Sequence, residues 1–326
     1  LFVLWNKRAL HEFLCMKGFF KSDRQRSLFN LHIAILFFGF TAVLGGLITL
    51  DAVPLVWWRL VLAVIAFVPL ILHRRIFDWN SFLAFKKPIL LVGLFLALHW
   101  VTFFLSVKLG NASIAVLCIA STSFMTAVVE PLITRRRFSG IEMIFGLMIV
   151  PGMFLVISSV DASMLPGVLS GVISALFASL FTIYNKSIVG KGSTIFFTFM
   201  ELLFALLILS VLIFIMQLSG FAVALWPVPG SDWKYLIFLA VICTTLSYTL
   251  AFDALKQITA FMANLSVNLE PLYGIILAAL LLNEHEELTM TFYLGAMLIL
   301  LLVVIFPIFE TRINRRKLKK KDVGII

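Results

Sequence analysis

Ile141-Glu142-Met143-Ile144-Phe145-Gly146-Leu147-Met148-Ile149-Val150-Pro151-Gly152-Met153-Phe154-Leu155-Val156-Ile157-Ser158-Ser159-Val160 is a run of 20 residues whose one charge lies at its start. At a helical rise of about 1.5 Å per residue it spans roughly 30 Å, the thickness of a bilayer's hydrocarbon core. A lipid-facing barrel strand would instead alternate apolar and polar residues over about 10 positions. Ala296 to Ile305 is equally unbroken. In lipid the backbone must satisfy its own hydrogen bonds, so such runs are helices.

The rest of the chain follows this pattern. Of 326 residues, 62% are hydrophobic and 13% charged, against roughly 45–50% and about 25% in soluble domains. A soluble fold is excluded. Apolar runs and the turns between them predict helices near 31–50, 55–72, 88–107, 112–133, 141–160, 165–184, 195–217, 233–253, 258–283 and 289–309. The expected fold is therefore an all-α integral membrane protein of ten helices. Residues 1–30 are expected to form a basic cytoplasmic leader, with Met16 as the start, and 310–326 a basic cytoplasmic tail.

The net charge of +10 does not point to nucleic acid, because the Lys and Arg fall in loops and tails and not on a folded soluble face. Cys15, Cys118 and Cys243 are scattered without a CxxC, so neither a metal site nor a disulfide framework is indicated. No cofactor is expected.

Charge also orients the helices. With the N-terminus inside, 23 of the 26 Lys and Arg lie on the cytoplasmic side; Lys108 and Lys234 lie outside and Arg59 within a helix. Cytoplasmic loops carry such an excess, so an even number of helices with both termini in the cytoplasm is expected. The protein is placed in the cytoplasmic membrane.

An offset of 147 residues lays Ser106 to Ser113 on Asp253 to Ala260, each a short polar junction between two long helices. Two halves, 31–160 and 165–309, thus contain five helices each, and an odd number per half inverts the second. The loop charges agree: Arg135-Arg136-Arg137 follows the fourth helix, whereas Glu284-His285-Glu286-Glu287, read as an exposed loop, follows the ninth. Inverted repeats of this kind build secondary transporters with a site near the midplane.

Pro54 to Ala63 in the second helix, the polar turn before helix four, Leu269-Glu270-Pro271-Leu272, Leu282-Asn283-Glu284 and Gly295 to Ile299 together resemble the EamA-type members of the drug/metabolite transporter superfamily. The resemblance covers Leu31 to Pro307. It implies ten helices in two repeats and transport, with export of amino acids or related metabolites favoured. The first repeat departs from it, carrying Ser123-Phe124 where the second has Glu270-Pro271.

Ionisable residues within a span cost roughly 2.5–3.5 kcal/mol at mid-helix, which makes each a candidate. An offset of 142 aligns Arg59 with Glu201 in the equivalent helix of the other half. The two either pair, or bind opposite ends of a zwitterion; otherwise Arg59 snorkels to the interface. Glu270 lies on one face of helix nine with Ser266 and Ala263, and Asn264 and Asn268 form a second polar face. Pro271 is expected to kink the helix there, so that Glu270 serves a proton or a cationic group, or is a polar clamp between helices. His99, Trp100 and Tyr248 suit a cavity wall or plain packing. Gly167, Gly171, Ala175 and Ser179 form a small-residue stripe for close approach within the bundle, at a seam between halves, or in a homodimer.

Enzyme signatures are missing from the sequence. Val189 to Thr194 lacks the spacing of a phosphate loop, and the acidic loop has one His. The leading expectation is a secondary transporter of a small polar or amphipathic substrate, with a coupling proton or cation, working by alternating access. A membrane-embedded enzyme on a lipid-linked substrate and a channel or scaffold are the alternative classes.

Overall fold

The computed structural model describes residues 22–302 other than 75, 268 and 287, together with 305 and 309. The expected leader up to residue 21 and the tail from 310 lie outside the described residues. Among the described residues the fold is entirely helical. The helices are α1 (Asp23–Leu47), α2 (Ala52–Arg74), α3 (Trp79–Leu109), α4 (Ala112–Ile119), α5 (Thr122–Thr134), α6 (Gly140–Leu147), α7 (Ile149–Ser159), α8 (Leu165–Ile188), α9 (Thr194–Leu218), α10 (Asp232–Ala240), α11 (Ser247–Ala254), α12 (Ala260–Val267), α13 (Glu270–Leu281) and α14 (Met290–Leu302). Taking α4–α5, α6–α7, α10–α11 and α12–α13 as interrupted single passes, they cross the bilayer ten times. Eight units are long and apolar spans, joined by the shorter apolar helices α13 and α14. Exposed Leu72, Phe154, Leu169, Phe214, Leu218, Leu280 and Met290 make the outer surface far more apolar than water tolerates, as a lipid-facing belt is.

Several boundaries move for local reasons. The first helix starts eight residues before the expected 31, because Ser22 caps it by accepting from Gln25 N–H at 3.2 Å and the charged turn that follows is helical. The third starts at Trp79 and not 88. Asp78 accepts from Ser81 N–H at 3.0 Å and from the Ser81 hydroxyl, bonds that hold its carboxyl below the usual range, and Pro88 is carried inside the helix. Lys86 and Lys87, which precede the expected helix, are helical. Pro151 lacks the N–H that would bond back to Leu147, and the fifth pass divides between Leu147 and Ile149.

The repeat is sharper in space than in sequence. The fourth and ninth passes are both broken, and their boundaries correspond at an offset of 148: Ala112 with Ala260, Ile119 with Val267, Thr122 with Glu270. Arg135 and Asn283, which follow these passes, both take the left-handed conformation, at φ 56° and 57°. The offset is one residue longer than the 147 read from sequence, so the counterpart of Glu270 is Thr122 and not Ser123.

The repeats interlock. The stripe on α8 faces into the bundle: Gly167 abuts the backbone of Gly110, Gly171 abuts Cys118 and Ser106, and Ser179 Oγ accepts from the Thr126 hydroxyl at 2.9 Å. This places the stripe at the seam with the first repeat and not on an outer dimer surface. Asp232 Oδ2 accepts from Thr49 N–H and from its hydroxyl, both at 2.9 Å. Trp58 Nε1 donates to the Leu225 carbonyl at 2.9 Å.

Glu284 corrects the reading of its loop as exposed. It is buried and accepts from Ala112 N–H at 2.9 Å, Ser113 N–H at 3.0 Å and Ser113 Oγ at 2.6 Å. It thus caps α4 of the other repeat, where free N–H groups and the helix dipole favour an anion. Glu284→Ala is expected to destabilise the protein by about 2 kcal/mol, read as a lower melting temperature in detergent, with exposed Glu286→Ala unchanged.

Candidate functional site

The two broken passes meet at an internal cavity of about 110 Å³. The last residues before each break, Ile119 and Val267, and the first residues after it, Thr122 and Glu270, all line it. The local sequence explains each interruption. Ser121, Thr122 and Ser123 offer the backbone competing partners, and Ser121 Oγ takes the Cys118 carbonyl at 2.7 Å while Ala120 N–H bonds Leu117 at 3.0 Å in a tightened turn. In the ninth pass Pro271 occupies the first turn of a new helix, where its missing N–H costs nothing. The expected kink is thus a restart. Glu270 stands at the positive end of the new helix.

Five of the residues singled out from sequence line this cavity: Arg59, His99, Trp100, Tyr248 and Glu270. Arg59 is 1% exposed, so it does not snorkel. Its guanidinium lies over the Trp100 ring at 3.7 Å from the centroid, and Nε donates to Thr244 Oγ1 at 2.7 Å. Trp100 Nε1 donates to the Tyr248 hydroxyl at 2.9 Å, which fixes the ring under the cation. Nη1 of Arg59 has no hydrogen-bond partner among the described residues. Such a group is a donor held ready for an anion.

His99 is held by Ser174. Ser174 Oγ donates to the His99 carbonyl at 2.9 Å, so the hydroxyl proton is spent. The ring Nδ1, 2.8 Å from Ser174 Oγ and 3.1 Å from its carbonyl, must therefore be the donor. The hydrogen-bonded His99 ring lies on the cavity wall.

Glu201 is 1% exposed and does not line the cavity. It accepts from Asn185 Nδ2 at 3.2 Å, and the ion pairs among the described residues, Arg26–Asp23, Arg136–Glu130, Arg136–Glu142 and Lys256–Asp253, do not include it or Arg59. The pairing of Arg59 with Glu201 is absent. Asn268 lies outside the described residues, as does the side chain of Asn264.

Sequence reading missed Thr244, Asn185 and Thr122. Thr244 belongs to a π-helical segment, Val241–Leu246, joining α10 to α11. There Thr244, Thr245 and Ser247 hydroxyls donate to the carbonyls five residues back, Leu239, Ala240 and Ile242, at 2.8, 3.0 and 2.8 Å. Such widened turns recur at functional sites, and this one aims Thr244 at Arg59. Asn185 lies just past the expected helix end at 184, but α8 runs on to Ile188. Its signal was the spacing Ala178, Thr182, Asn185, one helical face now found on the cavity.

A family model described as EamA-like transporter family matches the chain twice, over residues 25–158 and 165–306. The chain belongs to the EamA-like transporter family. Each match covers one five-pass repeat, so the two repeats of this family member insert with opposite sense and the broken fourth and ninth passes are equivalent. No curated protein matches the chain. A solved crystal structure of a protein aligns with 88% of this chain and 99% of its own, with a TM-score of 0.64 at 16% identity; the likeness shows a shared fold. As a member of a transporter family with ten apolar passes, the chain is a multi-pass membrane protein of transporter type, for which a small-molecule substrate and the bilayer are the partners.

Proposed function

We propose that this chain is a secondary carrier of the cytoplasmic membrane that exports a small zwitterionic or amphipathic metabolite, such as an amino acid, by alternating access of the cavity between its repeats. One observation carries the reading. Arg59 from the first repeat and Glu270 from the second face the same cavity without forming an ion pair. A buried guanidinium and a buried carboxyl group left without an ion pair are costly, and a substrate bearing a carboxylate and an amine satisfies both. The aromatic wall of Phe38, Phe103, Phe181 and Tyr248 suits an apolar side chain. Half-helix ends at a midplane cavity fit the same substrate class.

Both termini are assigned to the cytoplasm from the Lys and Arg bias. Export and not import is inferred from the family resemblance. Liposomes containing the protein and loaded with unlabelled amino acids should accumulate labelled substrate by saturable counterflow. Linear flux without stimulation from the far side, across a broad metabolite panel, would sink the carrier reading. Glu270→Gln should raise the half-saturation concentration for zwitterions roughly tenfold and leave that for simple carboxylates nearly unchanged, since one charge-assisted contact is worth about 1.5–3 kcal/mol.

A further inference from the structure

Behind the cavity, on the far side of Asn185, lies a second polar cluster. Asn185, Thr198 and Glu201 are 1%, 0% and 1% exposed. Asn185 Nδ2 donates to Glu201 Oε2 at 3.2 Å, and Thr198 precedes Glu201 by three residues on the same face of α9. Each keeps a buried oxygen with no hydrogen-bond partner: Oδ1 of Asn185, Oγ1 of Thr198 and Oε1 of Glu201. Buried acceptors are nearly always satisfied, so three on neighbouring side chains call for a ligand.

We propose that Glu201, Asn185 and Thr198 hold a monovalent alkali cation beside the substrate cavity. Carboxylate, amide and hydroxyl oxygens are hard donors suited to a hard cation. Rotation of the Asn185 amide about its last bond exchanges Nδ2 for Oδ1 at the carboxylate, which turns the amide from donor to ligand. A single positive charge cancels the single carboxylate, whereas a divalent ion would leave an unbalanced charge in an apolar interior.

Several charged and titratable groups on the surrounding helices have partners other than Glu201. Arg59 on α2 is bonded to Thr244, His99 on α3 to Ser174, and Lys186 on α8 to the carbonyls of Leu255 and Ile258; the Tyr248 hydroxyl on α11 accepts from Trp100. Thr194, one turn before Thr198, is also buried with an unpartnered Oγ1. Polar oxygens therefore run from the start of α9 to Glu201 and provide a route for the ion. Asn185 borders both the cluster and the cavity, so occupancy of one changes affinity at the other. The cation's role as a coupling ion rests on the carrier reading; its binding does not.

Equilibrium binding of radioactive sodium to the purified full chain in detergent tests the site without a known substrate. The expected result is saturable binding of one ion per chain, competed by unlabelled sodium or potassium chloride but not by choline chloride. Glu201→Gln and Thr198→Val should each weaken it at least tenfold, with helix content unchanged. Absence of saturable binding to the wild type, or binding unaltered in both variants, overturns the proposal. So does an infrared carbonyl band of a protonated acid that disappears in Glu201→Gln and ignores sodium, which would make the ligand a proton. Sodium binding without counterflow of any metabolite keeps the site and removes the carrier reading. Counterflow without sodium binding removes the site and keeps the carrier.

Discussion

Arg59→Ala should reduce counterflow of a carboxylate-bearing substrate by roughly 10- to 150-fold, the equivalent of about 1.5–3 kcal/mol lost with a charged hydrogen bond at 1.4 kcal/mol per tenfold. The argument rests on how the side chain is held. Trp100 supports the guanidinium face at 3.7 Å and Thr244 takes Nε at 2.7 Å, which leaves Nη1 without a partner among the described residues. A planar fork kept open in this way is prepaid for a carboxylate. Arg59→Lys should therefore rescue little, because an ammonium keeps the charge but loses the stacked, two-pronged geometry. Measured flux per molecule of inserted protein separates this from a folding defect. Wild-type rates in Arg59→Ala would remove Arg59 from the substrate site and take with them the zwitterion argument.

Gly167→Val is the substitution expected to harm the fold most. A Cβ at position 167 would stand 2.6 Å from Gly110 N and 2.9 Å from both Gly110 Cα and the Leu109 carbonyl carbon. These are backbone atoms of the turn between α3 and α4, and no rotamer change relieves them. Overpacking of a tight core costs about 1–3 kcal/mol, and a rigid backbone puts this case at the upper end. The melting temperature in detergent should fall by roughly 5–10 °C. Gly140, where a Cβ meets nothing within 4 Å, is the control, and Gly140→Ala should melt with the wild type. Equal melting for both variants would mean that the seam between α8 and the first repeat is looser than its distances indicate.

The contrast between these two positions shows how far sequence reading reached. Arg59 was legible as a candidate because a charge inside an apolar run is costly wherever it sits, and that cost is local. What the charge faces was not legible. The offset of 142 pointed to Glu201, yet Arg59 meets Thr244, a residue aimed by a π-helical turn that no periodicity announces. Glu201 meets Asn185 instead, a residue just past the helix end expected at 184. Gly167 was recognised as part of a small-residue stripe, but three occupants were open for that stripe until Gly110 was found against it.

The sequence by itself determined the solvent, the count of ten passes, the alternation of loop charge and the existence of two repeats, because burial in lipid and backbone self-satisfaction act on each segment separately. Only the tertiary structure decided that the fourth and ninth passes break at corresponding positions, that Glu284 caps a helix 172 residues earlier, and that Arg59 and Glu270 share a cavity while Glu201 stands behind it. Those outcomes depend on which helix faces which. A hydrogen-bond donor at one end of the chain is satisfied or left open by residues far away, and spacing along the chain carries no record of that choice.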